Sequence, residues 1–316
     1  MSNDQTLHNG TTPTSAGVVL FAFGKRGYYW AAYNLAFSIK SFNPHIHITL
    51  FVDNYVTATS SCDLHRFIDE IKEVDNNDLF TEDKFDPGKL KVSLYDYLPY
   101  KHNLYLDVDA IAVKDITPLL DELIATGRPY VSHCVGYHTI GQGRAIPSMQ
   151  WAWADDIWER YKLDSEAVLP AINSSLQFIT MGKEAAKLYD IAKTLYTTNQ
   201  IPTEKLRMKW GGGQPDELYM NIALCLAGID PGYKNEGRVQ GSESGFIHFA
   251  MHRGLTFQQV TDNFYLQSYY GGAGFTPRFY TEWLDRLLKI NMRKLNLHHE
   301  FTIVRITEQK HADAKR

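Results

Sequence analysis

Cysteine is scarce and scattered. Cys62, Cys134 and Cys225 are the three in a chain of 316 residues, with no Cys-x-x-Cys pair. Such spacing reads as reduced thiols rather than a disulfide framework. His133, Cys134 and His138 lie close together, but one cysteine at irregular spacing does not make a tetrahedral zinc site. Long apolar runs are missing as well, and nothing approaches the roughly 20 residues a membrane helix needs. Residues 1–16 are polar and lack the basic start and apolar stretch of a secretory leader. Nor is there an excess of positive charge. The formal net charge is -4, so no global field draws in nucleic acid or anionic membrane, although a local basic groove is compatible with that sum. These absences point to a cytoplasmic protein, bacterial or from a virus-infected cell, rather than a membrane-tethered secretory enzyme.

What is present is an ordinary globular composition, 44% hydrophobic and 22% charged. The length suits one large α/β domain with a small appendage. Residues 18–23 form a continuous apolar run of the kind found in doubly covered strands, broken by Gly24 and Gly27. A helix is predicted over 28–42 from Trp30, Tyr33, Asn34, Phe37 and Ser41, ending at Asn43-Pro44. A strand over 47–52 follows, so the chain opens as a βαβ unit with a right-handed crossover. Further helices are predicted over 62–71, 87–97, 118–125, 183–197, 216–227 and 277–295, with a helix around Trp151, Trp153 and Trp158. Further strands are predicted over 103–107, 130–133, 176–180 and 245–249. Residues 136–150 read as irregular. The division is a polar tail over 1–16, a catalytic domain over 17–260 (nucleotide side first, acceptor side second), a helical extension over 261–308 and a frayed end over 309–316.

The segment that carries chemistry is 103–111, Asn-Leu-Tyr-Leu-Asp-Val-Asp-Ala-Ile. Asp107 and Asp109 stand where an apolar strand ends, and in extended chain they would share a face. Their mutual repulsion raises a pKa unless a cation is present. Oxygen-only, hard ligands suit Mg²⁺ or Mn²⁺, which bridge a diphosphate and neutralise a leaving group. The carboxyl end of a strand is also where open α/β sheets bind ligands. A bare Asp-x-Asp is more often a solvated turn; the Leu-Tyr-Leu run ahead of it argues against that here.

Residues 105–109, followed by 111–119, resemble the DxD segment of GT-A-fold glycosyltransferases, especially family 8, the glycogenin and bacterial galactosyltransferase group. Other stretches agree in order and approximate spacing. Residues 20–27 resemble the strand and loop that hold uracil and ribose, and 89–99 the basic helix before the DxD strand. Residues 171–176, Ala-Ile-Asn-Ser-Ser-Leu, resemble the family's Phe-Asn-Ser-Gly segment, and 245–249, Gly-Phe-Ile-His-Phe, its late His-Phe motif. The likeness spans residues 18 to about 255. It implies a mixed, mainly parallel central sheet flanked by helices in a single Rossmann-like domain, with a C-terminal helical extension. It also implies a UDP-sugar donor placed against Phe21, Ala22, Phe23, Gly24, Asp53, Lys91, Asp107, Val108 and Asn173, and Mn²⁺ (or Mg²⁺) held by Asp107, Asp109 and His248.

Several assignments have plain alternatives. His248 alone would be a core histidine, and His252 is a rival ligand. Where the family continues with Gly and Lys-Pro-Trp this chain has Ala250-Met251-His252-Arg253-Gly254, so Arg253 takes the lysine's diphosphate role only by analogy. Lys89 competes with Lys91 for the basic contact, and both are ordinary helix lysines otherwise. Asp53 is a strand-end cap or a ribose contact. Asp216 and Glu217 open a helix, where the macrodipole favours carboxylates without any chemistry. The family places an acidic, Gln-containing segment there, facing the acceptor, and Asp216 is preferred over Glu217 as the acceptor-side catalytic group. Gln214, Trp151 and Trp153 are acceptor-side candidates, the tryptophans as a stacking surface. Trp158 reads as helix packing.

The expected activity is metal-dependent transfer of a sugar from a UDP-sugar to an acceptor hydroxyl on a glycan, a protein or a modified phage DNA base. A sugar-nucleotide pyrophosphorylase is the competing enzyme; its Gly-rich basic loop is only faintly echoed by residues 23–27. A non-catalytic nucleotide- or glycan-binding module is the competing non-enzyme.

Overall fold

The computed structural model describes residues 15–24, 26–60, 63–81, 84–139, 152–198, 200–202, 205–206, 214–233, 245–249, 259 and 262–268. The opening unit is strand β1 (Ala16–Ala22), helix α1 (Arg26–Phe42) and strand β2 (His47–Val52). Alternation along β1 sends Val19 and Phe21 into one core and Val18, Leu20 and Ala22 into another. This two-faced burial is why the run is apolar throughout. Next come α2 (Tyr55–Ser60), a 3-10 turn (Asp63–Phe67) and β3 (Glu70–Glu73). The helix expected over 62–71 is therefore a correction: only the 3-10 turn is helical. Glu70-Ile71-Lys72-Glu73 has too few apolar residues to announce a strand, and its order comes from parallel pairing to β2 at one edge of the sheet.

Helix α3 (Asn76–Leu79) and the ribbon of β4 (Phe80–Thr81) and β5 (Lys84–Phe85) lead to α4 (Pro87–Val92). A 3-10 turn (Leu94–Tyr97) completes the helix expected over 87–97. Strand β6 (His102–Leu106), the short β7 (Ala110–Ala112) and α5 (Thr117–Ala125) follow. Then come β8 (Tyr130–His138), α6 (Ala154–Tyr161), β9 (Leu169–Thr180), α7 (Lys183–Thr198) and α8 (Asp216–Ala227). The last described elements are β10 (Gly232–Tyr233), β11 (Gly245–Phe249) and β12 (Phe264–Ser268).

The main sheet has seven strands in the order β10-β8-β9-β6-β1-β2-β3. Every neighbouring pair is parallel except those made by β9, which runs against both β6 and β8. One face buries β1, β6 and β9 side chains against α4, α6, α7 and α8; the other buries them against α1 and α5. A second sheet, β11-β12-β7, is built on the strand that leaves the Asp-x-Asp segment. Phe264–Ser268 is thus extended and antiparallel to β7, where the sequence suggested the start of a helical extension. Aromatic residues and the fully buried Leu266 favour a strand that adds to an existing edge. The helix predicted over 277–295 lies outside the described residues. Among the described residues, no helix is long and apolar enough to cross a membrane.

Candidate active site

Parallel strands β2, β1 and β6 end side by side, and the chemistry-bearing residues collect at their carboxyl ends. At β1 the chain turns through Gly24 at φ +79, a left-handed conformation that glycine adopts without strain. Asp53, just past β2, fixes this turn: one carboxylate oxygen accepts the Gly24 N–H at 2.9 Å and the other the Tyr29 hydroxyl. Its visible work is to join the β1 and β2 ends, as a strand-end cap would. Of the nucleotide-side candidates, Phe21 and Phe23 are buried in an aromatic cluster with Phe51, Tyr97 and Tyr105, whereas Ala22 is buried on the opposite face of the sheet.

At β6, alternation puts Leu104 and Leu106 into the α1 core and Tyr105 into the α8 core. Asp107 continues on the Tyr105 side, and the Tyr105 hydroxyl donates to its Oδ1 at 2.6 Å. The Asp107 N–H donates to the Ser175 carbonyl at 2.8 Å. That carbonyl is presented by an irregularity in β9, where the pairing with β8 skips from Ser132–Gln177 to His133–Asn173. Bulges of this kind re-aim side chains. Ser132 Oγ staples this one by donating to the Asn173 and Leu176 carbonyls at 3.0 and 2.8 Å. Asn173 Oδ1 accepts the Ser175 N–H at 2.9 Å, so its carboxamide shapes the bulge.

Helix α4 supplies the cation. Asp86 caps its N-terminus and Pro87 occupies the first turn. Of the two lysines, Lys89 is spent on structure, donating to the Asn77 and Phe80 carbonyls at 2.7 and 2.9 Å. Lys91 turns inward, its ammonium 2.8 Å from Asp107 Oδ1 and 3.0 Å from Oδ2. Ser174 Oγ is 3.4 Å and Asp216 Oδ2 3.9 Å from it. Burial alone would lower the Lys91 pKa, but the surrounding anions outweigh it and hold the amine well above its ordinary value. It is a permanent positive charge.

Asp109 is the opposite case. Its Oδ1 is out of contact with solvent and accepts no hydrogen bond among the described residues. Burial and then the Asp107 charge push its carboxyl up to about 7, against a partial opposing pull from Lys91. A buried carboxylate oxygen without a donor is costly, and a hard divalent cation is the partner that oxygen chemistry fits best.

Asp216 and Glu217 open α8 and have different surroundings. Glu217 Oε1 accepts the Ser174 N–H at 3.1 Å, tying α8 to the β9 bulge. Asp216 Oδ2 is buried and accepts no hydrogen bond among the described residues, with Lys91 its near cation. Gln214 points away from this cluster. Its amide donates to the Ile201 carbonyl at 2.9 Å and accepts the Tyr219 hydroxyl at 2.7 Å, so it braces the chain ahead of α8.

His248 lies in β11, level with Gln267 of β12, which is level with Ile111 of β7. Two strand spacings, roughly 10 Å, separate its backbone from the strand that follows Asp109. Its side chain lies outside the described residues, as do Trp151, His252 and Arg253. Among the described residues no group of three or more His, Cys, Asp or Glu converges as a metal site. Val108, between Asp107 and Asp109, is buried. Trp153, partly exposed, marks the start of α6, while Trp158 is buried with its indole N–H donating to the Asp164 carbonyl at 3.1 Å.

One neighbour was not legible as such. Tyr28, in the first turn of α1, has its phenol pKa raised by partial burial and then by the charges of Asp109 and Asp107. An aromatic residue just after the Gly-Lys-Arg-Gly loop was the only signal available.

A seven-stranded, mainly parallel sheet with one reversed strand and an Asp-x-Asp turn at its carboxyl edge is the GT-A architecture. Among solved structures, the chain is similar to the galactosyltransferase LgtC in complex with donor and acceptor sugar analogs (TM-score 0.52, 15% identity, covering 87% of this chain and 95% of that one). It is also similar to the bifunctional glycosyltransferase WbbM (TM-score 0.50, 12% identity, covering 92% of this chain and 52% of that one). At these identities the likeness is one of fold. No protein-family model matches the sequence, and no curated protein matches it.

Proposed function

We propose that the chain is a divalent-metal-dependent glycosyltransferase that moves a sugar from a UDP-sugar to an acceptor hydroxyl. The observation that carries this reading is the Asp107–Asp109 pair at the carboxyl end of β6 in a GT-A fold, with a buried, unsatisfied Asp109 oxygen and Lys91 alongside. Support for a carbohydrate as acceptor comes from LgtC, which was solved with donor and acceptor sugar analogs.

In this reading Asp107, Asp109 and His248 hold Mn²⁺ or Mg²⁺, which when bound supplies positive charge to the diphosphate leaving group. The chain's own residues do the rest. The turn at Gly24, fixed by Asp53, shapes the nucleotide side. Lys91 brings a fixed positive charge to where negative charge develops as the glycosidic bond to phosphate breaks. Asp216 has the free carboxylate oxygen that can accept a hydrogen bond from the attacking hydroxyl and orient it. Glu217 holds the β9 bulge in place behind both.

Calorimetric titration with UDP is the direct check on the donor side. UDP should bind in the presence of Mn²⁺ and at least about tenfold more weakly in EDTA, since charge neutralisation at the diphosphate is then lost. UDP binding that is indifferent to metal would remove the metal from the reading; no binding of any uridine nucleotide would remove the donor.

A further inference from the structure

Lys91 makes contacts that a donor-binding lysine waiting for substrate does not need. Its ammonium spans both oxygens of Asp107, at 2.8 and 3.0 Å, and so takes up the face of a carboxylate that the proposed cation would share. Tyr105 already holds Oδ1 of the same group at 2.6 Å. Three carboxylates, Asp107, Asp109 and Asp216, face this one ammonium, and two of them keep a buried oxygen without a hydrogen-bond donor among the described residues. The carboxylates outnumber the ammonium, and Lys91 is the counter-ion they share.

The base of the side chain is anchored. Helix α4 is pinned by its Asp86 cap, and its backbone is wedged against the chain before α8. A Cβ on Gly88 would lie 2.5 Å from the Tyr196 hydroxyl and 2.7 Å from the Gln214 carbonyl. The helix that carries Lys91 is therefore closely packed at its start. The ammonium sits on a flexible stem, and it binds carboxylate and phosphate oxygens alike.

Resting on the glycosyltransferase reading, we propose that Lys91 is a resident counter-ion competing with the divalent cation for Asp107, so that the cation binds firmly only when a diphosphate arrives to take over the ammonium. Without nucleotide, a divalent ion entering beside Lys91 must share Asp107 with a like charge at close range, a repulsion weakly screened in a buried site. With nucleotide, phosphate oxygens accept the ammonium and Asp107 is released to the metal. Cation and donor then bind as a unit, and the empty site resists stray metal.

The test is Mn²⁺ binding followed by electron paramagnetic resonance, with and without UDP, on wild type, Lys91→Met and the charge-preserving Lys91→Arg. In the absence of UDP, Lys91→Met should bind Mn²⁺ about tenfold or more tightly than wild type, and Lys91→Arg should resemble wild type. UDP should tighten Mn²⁺ binding to wild type by about tenfold or more, and to Lys91→Met by much less. Mn²⁺ should also raise the melting temperature of Lys91→Met more than that of wild type, since it replaces the lost counter-ion. If Lys91→Met binds Mn²⁺ no better than wild type while wild type still binds Mn²⁺ with UDP, the competition is refuted and the glycosyltransferase reading stands. If no variant binds Mn²⁺ with or without UDP, both fall. Should Lys91→Met fail to fold, Lys91→Gln replaces it in the same comparison; a wild-type Mn²⁺ affinity that changes less than about threefold with UDP overturns the proposal and, by linkage, the metal-dependent UDP binding it rests on.

Discussion

Asp216→Asn is expected to slow sugar transfer by about a hundredfold or more, the scale on which a positioned acid–base or orienting carboxylate acts, while Mn²⁺ and UDP affinities stay within about threefold. The split follows from the surroundings of the two acidic residues at the start of α8. Glu217 is bonded to the Ser174 N–H, so its loss would disturb the β9 bulge and the Asp107 N–H that bonds to it. Asp216 Oδ2 accepts no hydrogen bond among the described residues, and asparagine keeps its shape. Lys91 stays anchored by Asp107 in that variant, so the donor side should be intact. Steady-state rates with varied donor and acceptor check this. A variant that transfers at the wild-type rate would return Asp216 to helix capping, and one that loses donor binding would make it part of the nucleotide site.

Without divalent cation, conformational stability should fall as pH rises from about 4 to about 7, and Asp109 should account for on the order of 3 kcal/mol of the fall. Its folded-state carboxyl is pushed up to about 7, by burial first and then by Asp107, above the ordinary aspartate value of about 3.9 in an unfolded chain. The stabilising contribution of the protonated acid is therefore fully present below the unfolded value and lost as pH climbs through the folded one. Denaturant unfolding in EDTA, wild type against Asp109→Asn, isolates it: the difference between the two curves should carry the slope. Added Mn²⁺ should reverse the trend, because metal binds the ionised carboxylate. Parallel curves for wild type and variant would mean that Asp109 is not held in the environment described.

Much of this arrangement was readable from the sequence, and the parts that were not share a physical cause. Strands β1, β2 and β6 declare themselves because they are buried on both faces, which forces a continuous apolar run. Helices α1, α5, α7 and α8 show three-and-four spacing with clear stops. Strand β3 was missed because an edge strand owes its order to its neighbour, and Glu70-Ile71-Lys72-Glu73 has little local preference of its own; β12 was missed because its order comes from pairing with β11 and β7, distant in the chain. The Asp-x-Asp pair was legible because two carboxylates closing a buried strand are chemically conspicuous. The division of labour among neighbours was not. Nothing in the one-dimensional pattern separates Lys91, turned inward, from Lys89, bonded to the carbonyls of Asn77 and Phe80. Asp216 and Glu217 are equally opaque, since which carboxylate keeps a free oxygen depends on the bulge at Ser174. Gln214 was an acceptor-side candidate through the family resemblance, and its amide is bonded to Ile201 and Tyr219.

The central claim is metal-dependent activation of a UDP-sugar at the Asp107–Asp109 pair, and it can be tested without knowing the acceptor, because water can take the place of the acceptor hydroxyl. UDP release should be measured from a panel of UDP-sugars, with Mn²⁺ and with EDTA, on wild type and Asp109→Ala. The account predicts turnover of one donor by wild type with metal only, falling by about a hundredfold or more in Asp109→Ala, the scale of a lost electrostatic contact to the leaving group. Turnover that survives EDTA or the loss of Asp109, or no turnover of any UDP-sugar by wild type, would contradict it.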